Sequence, residues 1–152
     1  MTDTKPAEPR LDLNEFLCFA IHSTAQAVGR ANKPMLDQLG LTYPQYLVMV
    51  VLWAEDNQTV GRIGDKLFLE SNTLTPLLKR LQAAGYIARS RCPEDERQVR
   101  IRLTDRGRAL QEKARALHPA WVGRAFGEDL GAAKALQQQI VALRDKLVDS
   151  QN

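Results

Sequence analysis

Cys18 and His22 stand four residues apart, so on a helix they share one face. A cysteine with donors nearby can do redox chemistry. Only the thiolate attacks a peroxide, and a free cysteine is mostly protonated at neutral pH, so the anion must be stabilised. The donors that the sequence offers are the amino-terminal region of the helix carrying Cys18, His22, and a tyrosine hydroxyl. The product of attack is a sulfenic acid, which can condense with a second thiol. The competing reading is a small buried core cysteine, the usual fate of an unpaired one. A metal reading of Cys18, His22, Cys92 and His118 meets no standard ligand spacing, and no metal or other cofactor is expected.

A second set of residues suits nucleic acid. Ser71, Asn72, Thr73 and Thr75 cluster at the start of one helical pattern, and Lys79 and Arg80 follow on it. Their hydroxyl, amide and cationic groups can bond to base edges or phosphates. They also suit a helix cap and a solvated face. Pro76 bears on where the helix begins. With Ser71 as the cap it removes a hydrogen bond from the second turn, and with Asn72 or Thr73 as the cap it falls harmlessly in the first.

The elements that must position these residues run from Thr59 to Leu103. Val60, Ile63, Gly64, Leu67 and Phe68 form the apolar face of a short helix over 59–69. Leu74, Leu77, Leu78 and Leu81 do the same for a second helix over 71–84, which Gly85 ends. Tyr86 to Arg91 and Val99 to Leu103 read as paired strands around a polar loop, 93–98. Helix, turn, helix and hairpin outline a winged helix-turn-helix, whose second helix enters the DNA major groove. Residues 62–108 hold eleven Lys or Arg against six Asp or Glu, +5 in a chain of +3, so the positive charge is concentrated where phosphates would lie.

The flanking sequence is helical. Leu13, Leu17, Ala20, Ile21, Thr24 and Val28 keep helical spacing in a helix expected over about 11–31, with Asp12 and Glu15 in its first turn. A short helix over 34–39 ends at Gly40. Thr42 caps a helix over 43–54 that is apolar almost all round and is expected at the centre of the fold. Thr104 caps a helix reaching about Ala116, where Pro119 and Gly123 interrupt, and 132–148 forms a last amphipathic helix. These terminal helices carry apolar stripes but no chemistry. A two-fold DNA reader needs a second copy, so they are expected to form a homodimer interface with the first helix.

The fold class expected is mostly α with a small β-hairpin wing. Residues 11–152 form one domain behind a tail at 1–10, with the winged unit over about 42–104 and dimerisation helices over about 11–31 and 105–150. At 44% hydrophobic and 26% charged, the 152 residues suit an ordinary globular protein. No apolar run is long enough to span a membrane and no signal peptide is read. Two cysteines without metal-like spacing suggest a reducing, cytoplasmic setting.

Cys92-Pro-Glu-Asp-Glu-Arg97, then Ile101-Arg-Leu-Thr104 and Gly107, resembles the wing signature of MarR-family transcription regulators. The likeness extends along nearly the whole chain. It implies that Arg97 enters the minor groove of an operator and that Asp95 holds it by an ion pair. Leu17-Cys-Phe-Ala20, Leu41-Thr-Tyr-Pro-Gln-Tyr-Leu47 and Leu74-Thr-Pro-Leu-Leu-Lys-Arg80 are similar to the OhrR-type organic hydroperoxide sensors of that family. That narrower resemblance implies oxidation of Cys18 and release of DNA, with Tyr43 donating a hydrogen bond to the thiolate. His22 and Asn32 stand where that group has two further tyrosines. Its two-cysteine members place the resolving cysteine nearer the carboxyl terminus. Cys92 does not match it, and an external low-molecular-weight thiol is the expected partner.

Three functions compete on these residues. A redox-responsive repressor of a pseudo-palindromic operator is favoured. A repressor released by a small aromatic or acidic ligand, with Cys18 structural, is the alternative. An enzyme such as a thiol peroxidase fits worst, because no resolving pair or compact catalytic constellation is visible and the basic winged unit would be idle.

Overall fold

The computed structural model describes residues 11–151; the expected tail at 1–10 lies outside them. A 3-10 turn, Leu13–Glu15, comes first, with Asp12 accepting from the Asn14 N–H. Helix α1 (Leu17–Leu39) follows. It starts later than expected because Phe16 is extended, at φ −84° and ψ 107°. It also continues through Pro34, replacing the two helices read from the sequence. An interior proline costs about 3 kcal/mol. The burial of Met35, Leu36 and Leu39 beyond it offsets that cost.

Helix α2 (Tyr43–Ala54) begins at a reciprocal cap. Thr42 Oγ1 accepts from the Gln45 N–H at 3.4 Å, and Gln45 Oε1 accepts from the Thr42 N–H at 2.9 Å. Tyr46, Val48, Met49 and Leu52 are buried, as the centre of the fold requires, whereas Val50 is exposed. Strand β1 (Gln58–Thr59) is too short to show in a hydrophobic pattern. Thr59 then caps α3 (Val60–Leu67), its hydroxyl accepting from the Arg62 N–H. Phe68 is not on the apolar face of α3. It ends the helix in a left-handed conformation, φ 56°, with its ring exposed under the Arg144 guanidinium, 4.3 Å away.

Helix α4 (Ser71–Ala83) is capped by Glu70, one residue before any of the expected caps. Pro76 therefore lies in the second turn, where its missing N–H leaves the Asn72 carbonyl without its usual donor. Leu74, Leu78 and Leu81 are fully buried beside Leu52 and Ile63, each contributing roughly 1.5–3 kcal/mol. The end is a Schellman motif: Tyr86 N–H donates to Leu81 O, Gly85 N–H donates to Gln82 O, and Gly85 sits at φ 81°.

Strands β2 (Ile87–Arg91) and β3 (Val99–Leu103) pair antiparallel, Ile87 opposite Leu103 and Arg91 opposite Val99. β1 joins the other edge, giving the order β1-β3-β2. Thr104 caps α5 (Asp105–Phe126), accepting from the Gly107 N–H. A Cβ at Gly107 would lie 2.1 Å from the Tyr86 carbonyl oxygen, so only glycine lets α5 cross the wing this closely. Helix α5 does not stop near Ala116 but passes through Pro119 and Gly123. Leu117 and Trp121 hold it against the core, and Trp121 Nε1 donates to Ala31 O on α1. Helix α6 (Leu130–Asp149) closes the chain and buries no residue.

Candidate nucleic-acid interface and redox site

The fold turns the two faces of α4 to opposite ends of the environment. Its leucines enter the core, while Ser71, Asn72, Thr73, Lys79 and Arg80 are exposed. Thr75 is half-buried, and its hydroxyl donates to Ser71 O at 2.7 Å, leaving the oxygen lone pairs as acceptors. Thr73 donates to Asn72 Oδ1 at 3.4 Å. The exposed groups thus form one polar stripe opposite the core, extending from the free amino end of the helix.

The wing tip is a small self-bonded turn. Asp95 Oδ1 accepts from Arg97 twice, from the backbone N–H at 3.1 Å and from Nε at 3.3 Å. Gln98 N–H donates to Asp95 O, and Cys92 N–H donates to Gln98 O. Arg97 is 93% exposed, and the ion pair holds its guanidinium by the Nε edge. An exposed pair of this kind adds under about 1 kcal/mol to stability and mainly orients the side chain.

The base of the wing is fixed by residues that sequence reasoning missed. Asp56 Oδ1 accepts from the Leu103 N–H at 2.8 Å, and Asp56 Oδ2 accepts from Arg108 at 3.2 Å. Asn57, left-handed at φ 59°, accepts from Arg100 and Arg102. These bonds tie β3 and α5 to the loop after α2. The Asp-Asn pair was the available signal, as a turn that tolerates positive φ.

The redox candidates divide. Cys18 is exposed at the second position of α1, a helix whose cap, Phe16, supplies no side-chain acceptor. The first N–H groups of such a helix start have no acceptor within the helix. His22 is one turn on, but its Nε2 is engaged by Gln26 Nε2 at 3.1 Å, which bonds it away from Cys18. Tyr43 lines a cleft beside Gln26, Gly29, Arg30 and Lys33. Cys18 lies eight residues before Gln26, roughly 12 Å up the helix. One chain therefore does not bring Tyr43 to Cys18. Cys92 is buried at 6% exposure, its sulfur 3.9 Å from a Glu94 carboxylate oxygen. The backbone N–H groups of Glu94 and then Asp95 pull its thiol below the usual cysteine value, against the opposing effect of burial.

Residues 30–114 match the family model described as transcriptional regulator SarA/Rot. The chain is 48% identical over 147 residues to the HTH-type transcriptional regulator TtmR of Methylorubrum extorquens, covering 97% of this chain and 74% of that one. It is 42% identical to the organic hydroperoxide resistance transcriptional regulator of Bacillus subtilis, covering 82% and 86%. This chain belongs to the MarR/SarA group of DNA-binding transcription regulators. Among solved MarR/SarA-type structures, that of reduced AbfR bound to DNA superposes with a TM-score of 0.76 at 36% identity, over 86% of this chain and 92% of that one. The winged fold and the non-enzymatic class expected from the sequence agree with these relatives. No helix among the described residues is long and apolar enough to cross a membrane.

Proposed function

We propose that this MarR/SarA-type regulator is a homodimeric repressor that senses organic hydroperoxides through Cys18 and then releases a pseudo-palindromic operator. The observation that carries this reading is the position of Cys18, exposed in the first turn of a helix without a side-chain cap. The Bacillus subtilis relative, a regulator of organic hydroperoxide resistance, supports the choice of oxidant.

The chemistry is a two-electron oxidation. The Cys18 thiolate attacks the terminal oxygen of ROOH, the O–O bond breaks, and the leaving alkoxide takes a proton as ROH. Sulfur becomes a sulfenic acid. A low-molecular-weight thiol then displaces water to give a mixed disulfide. Tyr43 can assist only from a second chain, because its own chain holds it two turns away along α1. The apolar side chains exposed near Cys18, Leu17 and Ile21, continue into Leu136 and Ile140 of α6, and such a stripe suits a second copy. Enlarging the sulfur at a close-packed interface displaces its walls. The two recognition helices then lose the spacing that the operator demands. Ser71, Asn72, Thr73, Thr75, Lys79 and Arg80 would meet the major groove, and Arg97, held by Asp95, the minor groove.

The test is operator binding by the reduced protein before and after one equivalent of cumene hydroperoxide. Cys18→Ser should bind normally and ignore the oxidant, and Cys92→Ser should still respond. Release that persists in Cys18→Ser and vanishes in Cys92→Ser would assign sensing to the wrong residue.

A second reading has its own support. A cleft of about 470 Å³ between α2 and α5 is lined by Tyr46, Trp53, Gln111, Arg115 and His118, a mixture suited to a small aromatic acid. Release by such a ligand in Cys18→Ser would favour it.

A further inference from the structure

We propose that the cleft between the start of α3, the start of α4 and the wing seats one phosphate of the DNA backbone, held by Arg89. The inference rests on the reading that α4 and the wing face DNA. Three observations carry it.

The cleft, about 420 Å³, is lined by Gly61, Ser71, Thr75, Arg89, Arg97 and Gln98, and none of its lining residues is acidic. Arg89 brings a guanidinium into it from β2. Its Nε is shut off from solvent and has no hydrogen-bond partner among the described residues. Arg89 as a whole is only half-buried, so the rest of its guanidinium can meet an acceptor in the cleft, and a donor left without one is costly. Arg97, the other arginine lining the cleft, is already paired with Asp95.

Gly61 is the second residue of α3, and a Cβ there would meet nothing within 4 Å. Glycine weakens a helix relative to alanine, and here packing does not require it, in contrast to Gly107. The open space lies over the first turn, where the Thr59 hydroxyl holds the Arg62 N–H and the N–H groups ahead of it have no acceptor within the helix. A bare backbone at this point lets a phosphate oxygen approach.

The position selects the source of the phosphate. A helix in the major groove and a wing in the adjacent minor groove straddle one sugar–phosphate strand. The cleft between them must face that strand. Contacts of this kind set register and affinity without reading sequence.

The test uses the full-length reduced protein and a duplex that the wild type itself selects from a random-sequence pool. Copies of that duplex carry a single neutral methylphosphonate at each linkage in turn. The wild type should lose roughly tenfold at one linkage per half-site, and the slope of log K against log salt should fall by about 0.9 for each phosphate neutralised. Arg89→Ala, which removes the contact at both half-sites, should show about twice that change in slope, and the single loss squared, on the unmodified duplex, with no further penalty at the same linkage. Gly61→Ala should bind more weakly with an unchanged or raised unfolding midpoint, and it carries the test if Arg89→Ala does not fold. Full affinity and salt slope in both variants would overturn the seat while leaving DNA binding intact. So would inorganic phosphate bound saturably by the wild type but not by Arg89→Ala, with no linkage sensitive to methylphosphonate. A wild type that selects no duplex would remove the seat together with the reading it rests on.

Discussion

The winged unit and the terminal helices solve burial in opposite ways. From α2 to the start of α5 the chain finishes its own core: Leu52, Ile63, Leu74, Leu78, Leu81 and Ile101 are all fully buried. The start of α1 and the whole of α6 do not. Leu13, Leu17, Leu136, Ile140 and Leu147 are all exposed, and α6 buries none of its residues. Apolar surface left uncovered on two neighbouring helices is what the second copy of the proposed dimer would cover. The same contrast separates the two cysteines. Cys92 sits in a finished environment with its own donors, whereas Cys18 sits where the chain is unfinished. On the proposed function, a sensor placed there would act on assembly, and the residues proposed to contact DNA would need no chemistry of their own.

Breaking the unfinished region should have the largest effect. Ile140→Asp puts a charge on the proposed interface but removes no buried contact within the chain. It should give a monomeric mass by light scattering with nearly unchanged helical circular dichroism. Affinity for a two-half-site duplex, with centres one DNA turn or ~34 Å apart, should fall by roughly 10²–10⁴ through lost avidity. A monomer retaining full affinity would refute the dimeric reading.

Within the finished region the effects should be local. Arg97→Ala should cost on the order of 1–3 kcal/mol of operator binding. Asp95→Ala should cost less, because Asp95 only aims the guanidinium. Equal binding by Arg97→Ala and wild type across a salt series would mean that the wing points away from DNA.

The same divide explains what could be read from the sequence. The cap at Thr42, the cap at Thr104, the glycine after α4 and the alternation Val99-Ile101-Leu103 are local signals, and each states its structure within a few residues. Pro34 and Pro119 read as breaks in the sequence because an isolated helix would break there. Tertiary packing around Met35 and Trp121 decides otherwise, and that packing is not local. The two-residue strand β1 has no periodicity to detect. Asp95 and Arg97 could be paired from their spacing in one turn. The relation of Cys18 to Tyr43 could not, because in the proposed dimer it depends on which chain supplies the tyrosine, and no sequence pattern marks that.

Tyr43→Phe sharpens this last point. It removes one hydroxyl from a residue 39% exposed in the single chain. Operator binding should be unchanged, and the reaction of Cys18 with hydroperoxide should slow by roughly two- to tenfold, the value of about one hydrogen bond. A heterodimer carrying Cys18→Ser on one chain and Tyr43→Phe on the other decides the arrangement. Each tyrosine reaches across in the trans arrangement, so the one intact cysteine, on the Tyr43→Phe chain, would face an intact tyrosine and react at the wild-type rate. A slow rate in that heterodimer would place both groups on one chain.

The smallest effect concerns Cys92. Backbone donors from Glu94 and Asp95 favour its thiolate, so its folded pKa lies below the value in the unfolded chain, about 8.5. A native state that holds fewer protons than the unfolded state gains stability as pH rises. The contribution is complete above the unfolded value and is lost as pH falls through the lowered folded value. Cys92→Ser has no such titration. The difference in thermal midpoint between wild type and Cys92→Ser should therefore widen in favour of the wild type from about pH 6 to about pH 9. Burial and the Glu94 carboxylate act in the other direction, and a difference that narrows with rising pH would show that they prevail over the backbone donors. Either result bears on the wing alone, since Cys18 is intact in both proteins and its response to hydroperoxide at neutral pH should be the same.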